Sequence, residues 1–171
     1  YPQFGIAAID SQIKSTVENG VSALESQADQ DKPAENHYPQ YSFYSSFSDP
    51  YIGSDYISVS LVLADYTGGA HENPVIVGAT YDRATGKPVT LDQALALTGM
   101  TLQEVACSSK QQLAQDQSTT PTGIWASGSD ATADNYQTFL INKDSVVFIF
   151  QPYQVAPYAA GAPEVSIPRV K

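Results

Sequence analysis

The sequence holds one cysteine, Cys107, so no intrachain disulfide can form. It holds two histidines, His37 and His71, in separate segments. A zinc site needs three or four ligands at defined spacing. No HExxH occurs and no second His stands at helical spacing, so neither a metal nor another cofactor is expected. Basic residues are scarce: eight Lys+Arg face 18 Asp+Glu, for a formal net charge of −10. Nucleic-acid binding requires a basic patch that replaces counterions, and this balance excludes it. An acidic surface serves solubility first and a basic partner second. No apolar run approaches the roughly 20 residues of a membrane span. No signal peptide is visible, and the chain opens on Tyr1, as a mature or trimmed form would. Charged residues make up only 15%, with neutral polar residues and 11 tyrosines in their place. That balance is common in extracytoplasmic bacterial proteins.

The chain is long enough for one domain or two small subdomains sharing a core. Ile6, Ile9, Ile13, Val17, Val21 and Leu24 recur at spacings of three and four, which predicts a helix over 6–27. Residues 28–37 read as a loop. YSFYSSF (41–47) and YISVSLVLADY (56–66) alternate as strands, and DPYIG (49–53) reads as their turn. NPVIVGATYD (73–82) is a third strand, closed by DRATGK (82–87). Thr90 with Gln93, and Thr101 with Glu104, fit the capping box and predict helices over 91–97 and 101–115. Cys107 lies in the second of these and reads as a small buried apolar residue. Residues 116–135 read as a long loop, a length usually functional or mobile. YQTFLIN (136–142) and SVVFIF (145–150) flank a tight Lys143-Asp144 hairpin, and PEVSIP (163–168) is a last edge strand. Runs of like elements argue for an α+β fold with a mostly antiparallel sheet and helices packed on one face. The expectation is one sheet containing 57–63, 75–81, 136–142 and 145–150, with helices 6–27 and 101–115 on a single face.

Two segments stand out for function. FQPYQVAPYAAG (150–161) leaves a strand, yet carries rings, prolines and no charge. Rigid tyrosines suit recognition at low entropic cost, and Pro152 and Pro157 would pre-order the loop. The competing reading folds the loop on its own core, with both tyrosines hydrogen-bonded inside. YTGGAHENP (66–74) pairs Gly68 with Gly69, which suits a bulged hairpin connection, and then presents His71. His71 would serve as an acid/base, a metal ligand or a turn residue. ASGSD (126–130) is not the GxSxG of a nucleophile elbow, and no spacing singles out a carboxylate pair for glycoside cleavage. No catalytic residue is assigned.

YTGGAH, the TGK turn before TLDQAL, and FQPYQVAPYAAGAPEVSIP, in this order, resemble a bacterial domain of unknown function. That domain forms the extracytoplasmic C-terminal part of the lysozyme-sensing anti-sigma factor RsiV. It also accompanies peptidoglycan deacetylase domains of the PdaC type. The resemblance spans about residues 55–170, and it implies a division into an N-terminal helix-plus-strand part (1–54) and the family domain (55–171). Gln154 stands where the family usually has Glu, so no role of that carboxylate carries over. The deacetylase domain and its metal ligands are missing, and neither regulatory nor deacetylase activity carries over. The resemblance implies a non-catalytic cell-envelope module, periplasmic, secreted or lipid-anchored. It would bind a cell-wall glycan such as peptidoglycan, or a wall-directed protein such as lysozyme. The expected binding residues are Tyr66, Gly68, Gly69, His71, Pro152, Tyr153, Pro157 and Tyr158. The alternative is an enzyme acting on peptidoglycan or another polysaccharide, with His71 as acid/base. Oligomeric state is not readable from the sequence.

Overall fold

The computed structural model describes residues 1–31, 41–116 and 123–170. His37 and most of the predicted loop 28–37 lie outside the described residues. The first helix, α1 (Ala7–Gln30), precedes strands β1 (Ser42–Ile52), β2 (Tyr56–Tyr66) and β3 (Asn73–Asp82). Helices α2 (Leu91–Thr98) and α3 (Leu102–Leu113) follow, then β4 (Phe139–Ile141), β5 (Ser145–Ile149) and β6 (Glu164–Pro168). The fold is α+β with antiparallel pairing throughout.

The strands form two three-stranded sheets, β1-β2-β3 and β4-β5-β6, rather than the single sheet expected. The helices divide accordingly: α1 packs on β1 and β2, α2 on β5 and α3 on β6. The reason lies in β2 and β3, whose two faces are both covered. One face sets Ile57, Val59, Leu61, Ala79 and Tyr81 against Ile9 and Ile13 of α1. The other presents Ser58, Ser60 and Thr80, which alternation alone would place in water but which are buried. Ile141 N–H donates to Ser58 Oγ at 2.9 Å and Thr80 Oγ1 donates to the Phe139 carbonyl at 3.1 Å. Thr80's proton being so used, Ser58 Oγ donates to Thr80 Oγ1 at 2.6 Å. The open edge of β4 thus ends on hydroxyls instead of on a neighbouring strand, which satisfies the polar groups an edge would otherwise leave unpaired. Gly78 makes the approach possible, because a Cβ there would collide with the Phe139 backbone.

Local chemistry explains the rest. Both capping boxes form: Gln93 and Glu104 return their side chains to the Thr90 and Thr101 N–H at 2.8 Å. Asp10 receives the Phe4 and Gly5 N–H and holds the entry to α1. The TGK turn closes with Asp82 Oδ1 accepting from Thr85 N–H and Thr85 Oγ1, both at 2.7 Å. Those bonds, the hydroxyl's first, hold the Asp82 carboxyl below its ordinary range. Gly86 there has φ +67, and its carbonyl accepts from Gln12 of α1 at 2.8 Å.

Three further expectations need correction. DPYIG is not the hairpin turn: β1 runs through it to Ile52 with a bulge between Ser48 and Tyr51, and the chain reverses at 53–55. Asp49, at φ +54, belongs to that bulge. The implied division at 54/55 falls within this β1–β2 turn. Cys107 is exposed, not buried. At about 100° per residue it falls opposite the buried row Val105, Ala106, Ser109 and Leu113. Finally, β4 begins only at Phe139, because Tyr136 sits in a short 3-10 helix, Ala133–Tyr136. The Tyr136 ring is fully buried edge-on against Phe148 and Phe150, with its O–H donating to the Ser129 carbonyl at 3.0 Å.

Candidate functional site

Residues 151–154 make a tight turn, with Gln154 N–H donating to the Gln151 carbonyl at 2.9 Å. Pro152 and Tyr153 occupy its centre, and Tyr153 has φ +68. This is the pattern of a type II turn, whose second central position favours glycine. A tyrosine there bears a backbone strain of about 1–2 kcal/mol. It persists because both flanking glutamines are fixed. Gln151 Oε1 accepts from Ile76 N–H and its Nε2 donates to the Ile76 carbonyl, each at 2.8 Å, so the side-chain amide pairs with the edge of β3 as a strand would. Gln154 Oε1 accepts from Gln151 N–H at 2.8 Å, and its Nε2 donates to the Gly128 and Asn135 carbonyls at 2.8 and 3.0 Å. A glutamate at 154 has no donor for those carbonyls, which gives Gln154 a structural role.

The clamped turn carries Tyr153 out to the segment between β2 and β3. His71 Nδ1 lies 2.7 Å from the Glu72 carbonyl. A carbonyl only accepts, so Nδ1 bears a hydrogen, which leaves Nε2 facing the cleft as the acceptor of a neutral imidazole. Tyr153 Oη lies 3.3 Å from Nε2 and donates to it when the ring is neutral. Tyr158 stacks on the imidazole with centroids 4.0 Å apart and planes 15° apart, and lies 5.6 Å from the Tyr153 ring. The Tyr158 hydroxyl reaches only to 3.5 Å from the Glu72 carbonyl. Between the segments lies an open cleft of about 100 Å³, lined by His71, Glu72, Asn73, Pro74, Pro152, Tyr153 and Tyr158. Tyr153 remains 52% exposed, so its ring is not folded into the core.

Of the expected residues, His71, Pro152, Tyr153 and Tyr158 meet in this cleft. The other four do not line it. Tyr66 braces the preceding turn through Oη donating to the Gly69 carbonyl at 3.0 Å, and Gly68 and Gly69 take φ +100 and +121. Pro157 precedes the short 3-10 helix Tyr158–Ala160. Sequence reading missed Glu72, Asn73 and Pro74 in the lining, and Gln151 and Gln154 as anchors. The glutamines bracketing Pro-Tyr in Gln-Pro-Tyr-Gln (151–154) were the available signal for the anchors. A larger groove, about 340 Å³, runs between α1 and the β1-β2-β3 sheet past Gly20, Leu24, Phe43, Leu63 and Val75. Its lining is mainly apolar and gathers no comparable polar geometry. Among the described residues no three His, Cys, Asp or Glu side chains converge as metal ligands. No helix among them is long and apolar enough to cross a membrane.

Residues 91–170 match the family described as Protein of unknown function (DUF3298). The matched region supplies Tyr153 and Tyr158, while His71 comes from the β2–β3 connection ahead of it. The chain is 26% identical over 162 residues to the immunogenic proteins MPT64 of Mycobacterium tuberculosis and MPB64 of Mycobacterium bovis, covering 95% of this chain and 68% of each relative. It is 28% identical over 112 residues to the M. tuberculosis esterase Rv3036c, covering 66% of this chain and 48% of the esterase, about half its length. A solved DUF3298 family protein from Pseudomonas aeruginosa PAO1 shares the fold, with TM-score 0.61 and 21% identity over 94% of this chain and 75% of that one.

Proposed function

We propose that this chain is a non-catalytic, extracytoplasmic binding module of the cell envelope that recognises a cell-wall glycan or a wall-directed protein such as lysozyme. The observation that carries the reading is Tyr153. A non-glycine residue is held at φ +68 while its ring stays half outside, against His71 and beside Tyr158. Strain that the fold does not use for packing marks a functional constraint. The resemblance to envelope-sensing domains supports the setting, and relatives named immunogenic proteins suit an extracytoplasmic one. Titration calorimetry against lysozyme and against soluble peptidoglycan fragments tests the proposal, with melting temperatures taken on the same samples. Wild type should bind one of the two, and Tyr153→Ala should weaken that binding without lowering the melting temperature. Loss of stability with unchanged affinity in the folded fraction would end this reading.

A second reading has its own support. The fixed His71 tautomer aims a basic Nε2 at Tyr153 Oη, an acid/base pair in form, and one relative is an esterase. Hydrolysis of short-chain p-nitrophenyl esters and of peptidoglycan by purified protein, abolished in His71→Ala, would establish it. Equal rates in the two proteins would dismiss it.

A further inference from the structure

The cleft is small, and its size decides what enters. The cleft measures about 100 Å³. Sites for whole drug-sized ligands run to about 300–1,000 Å³. The cleft is sized for one side chain or one head group at a time.

The chemistry of the lining is one-sided. It offers ring surface from Tyr153, Tyr158 and His71, and the pyrrolidines of Pro74 and Pro152. Glu72 adds its backbone carbonyl as an acceptor, and it is the one acidic residue of the lining. No lining residue is Lys or Arg, and the chain carries a net charge of −10. Ring faces attract cations through their quadrupole, and a guanidinium also stacks flat on them. The stack of His71 on Tyr158, with Tyr153 tilted at 36° to Tyr158, presents ring surface in more than one direction.

We propose that the cleft between residues 71–74 and 152–158 receives one cationic side chain, arginine or lysine, from a basic partner protein. This rests on the recognition reading above and narrows its ligand from glycan or protein to protein. Long-range attraction between an acidic domain and a basic partner sets the on-rate, and the ring contacts set the off-rate.

The test uses NMR of the His71, Tyr153 and Tyr158 ring signals in the full chain. The probes are N-acetyl-arginine N-methylamide, its neutral citrulline counterpart, chitotriose and lysozyme. The arginine probe should shift all three rings and bind about tenfold more tightly than citrulline. Tyr158→Leu should cut that affinity about tenfold. Tyr153→Gly, which also removes the backbone strain, should do the same in a protein that folds at least as well. Equal response to arginine and citrulline overturns the charge preference. A response to chitotriose alone overturns the inference and leaves glycan recognition standing. Silence from the small probes, with lysozyme still perturbing the three rings, overturns the inference and leaves protein recognition standing. No response to any probe removes both the inference and the recognition reading.

Discussion

Two turns in this molecule take nearly the same left-handed backbone angle, and different residues stand there. In the TGK turn Gly86 sits at φ +67, and in the clamped turn Tyr153 sits at φ +68. Gly86 is buried, and a Cβ there would stand 2.9 Å from Ala8 Cβ of α1. The glycine answers two structural needs at once: the angle and the close approach. Tyr153 answers neither. The fold would accept a glycine at its position at lower strain, and no core contact requires the ring. A large exposed ring where glycine is expected on structural grounds supports the recognition role proposed for Tyr153.

This contrast makes graded forecasts. The largest effect should come from the anchor that forces the strain. Gln154→Glu leaves the Gly128 and Asn135 carbonyls without their donor and sets a carboxylate against them. It should cost about 3 kcal/mol of stability by chemical denaturation; a cost near zero would mean that the turn does not depend on this clamp. Gly86→Ala should cost about 2 kcal/mol, from the left-handed angle and the crowding of Ala8, with ligand affinity intact. If affinity fell with it, the two turns would not be independent.

Tyr153→Ala should show the opposite profile: a loss of about 2 kcal/mol in binding and little in stability. Tyr153→Gly should lie about 1 kcal/mol above Tyr153→Ala in stability, because it removes the left-handed penalty, while binding as poorly. If the Tyr153→Gly variant proves no more stable than the Tyr153→Ala variant, the tyrosine is not strained. The smallest effect concerns pH. Asp82 has its folded carboxyl below the ordinary 3.8, held down by Thr85. Its contribution is present above the unfolded value and is lost as pH falls through the lower folded value. The acid side of the stability profile should therefore flatten in Asp82→Asn, with no change in that window for Tyr153→Ala.

The sequence by itself determined what depends on near neighbours. Caps at Thr90 and Thr101, the period of α1, the ranges of β2 and β3 and the turn at 82–87 rest on contacts within a few residues, where side-chain type dictates backbone choice. The odd character of 150–161 was legible too, since prolines and uncharged rings are visible without coordinates. The tertiary structure decided what depends on partners far along the chain. Ser58 and Ser60 alternate in sequence as solvent-facing residues would, and only the arrival of β4 buries them and splits one expected sheet into two. Cys107 lies one residue from the buried row of α3, and a shift of one position turns a helical side chain by about 100°, from core to water. Pro50 inside β1 read as a turn because a bulge and a turn use the same residues. His71 and Tyr153 lie 82 positions apart. Their meeting follows from Gln151 bonding the edge of β3, a long-range pairing that no local pattern encodes.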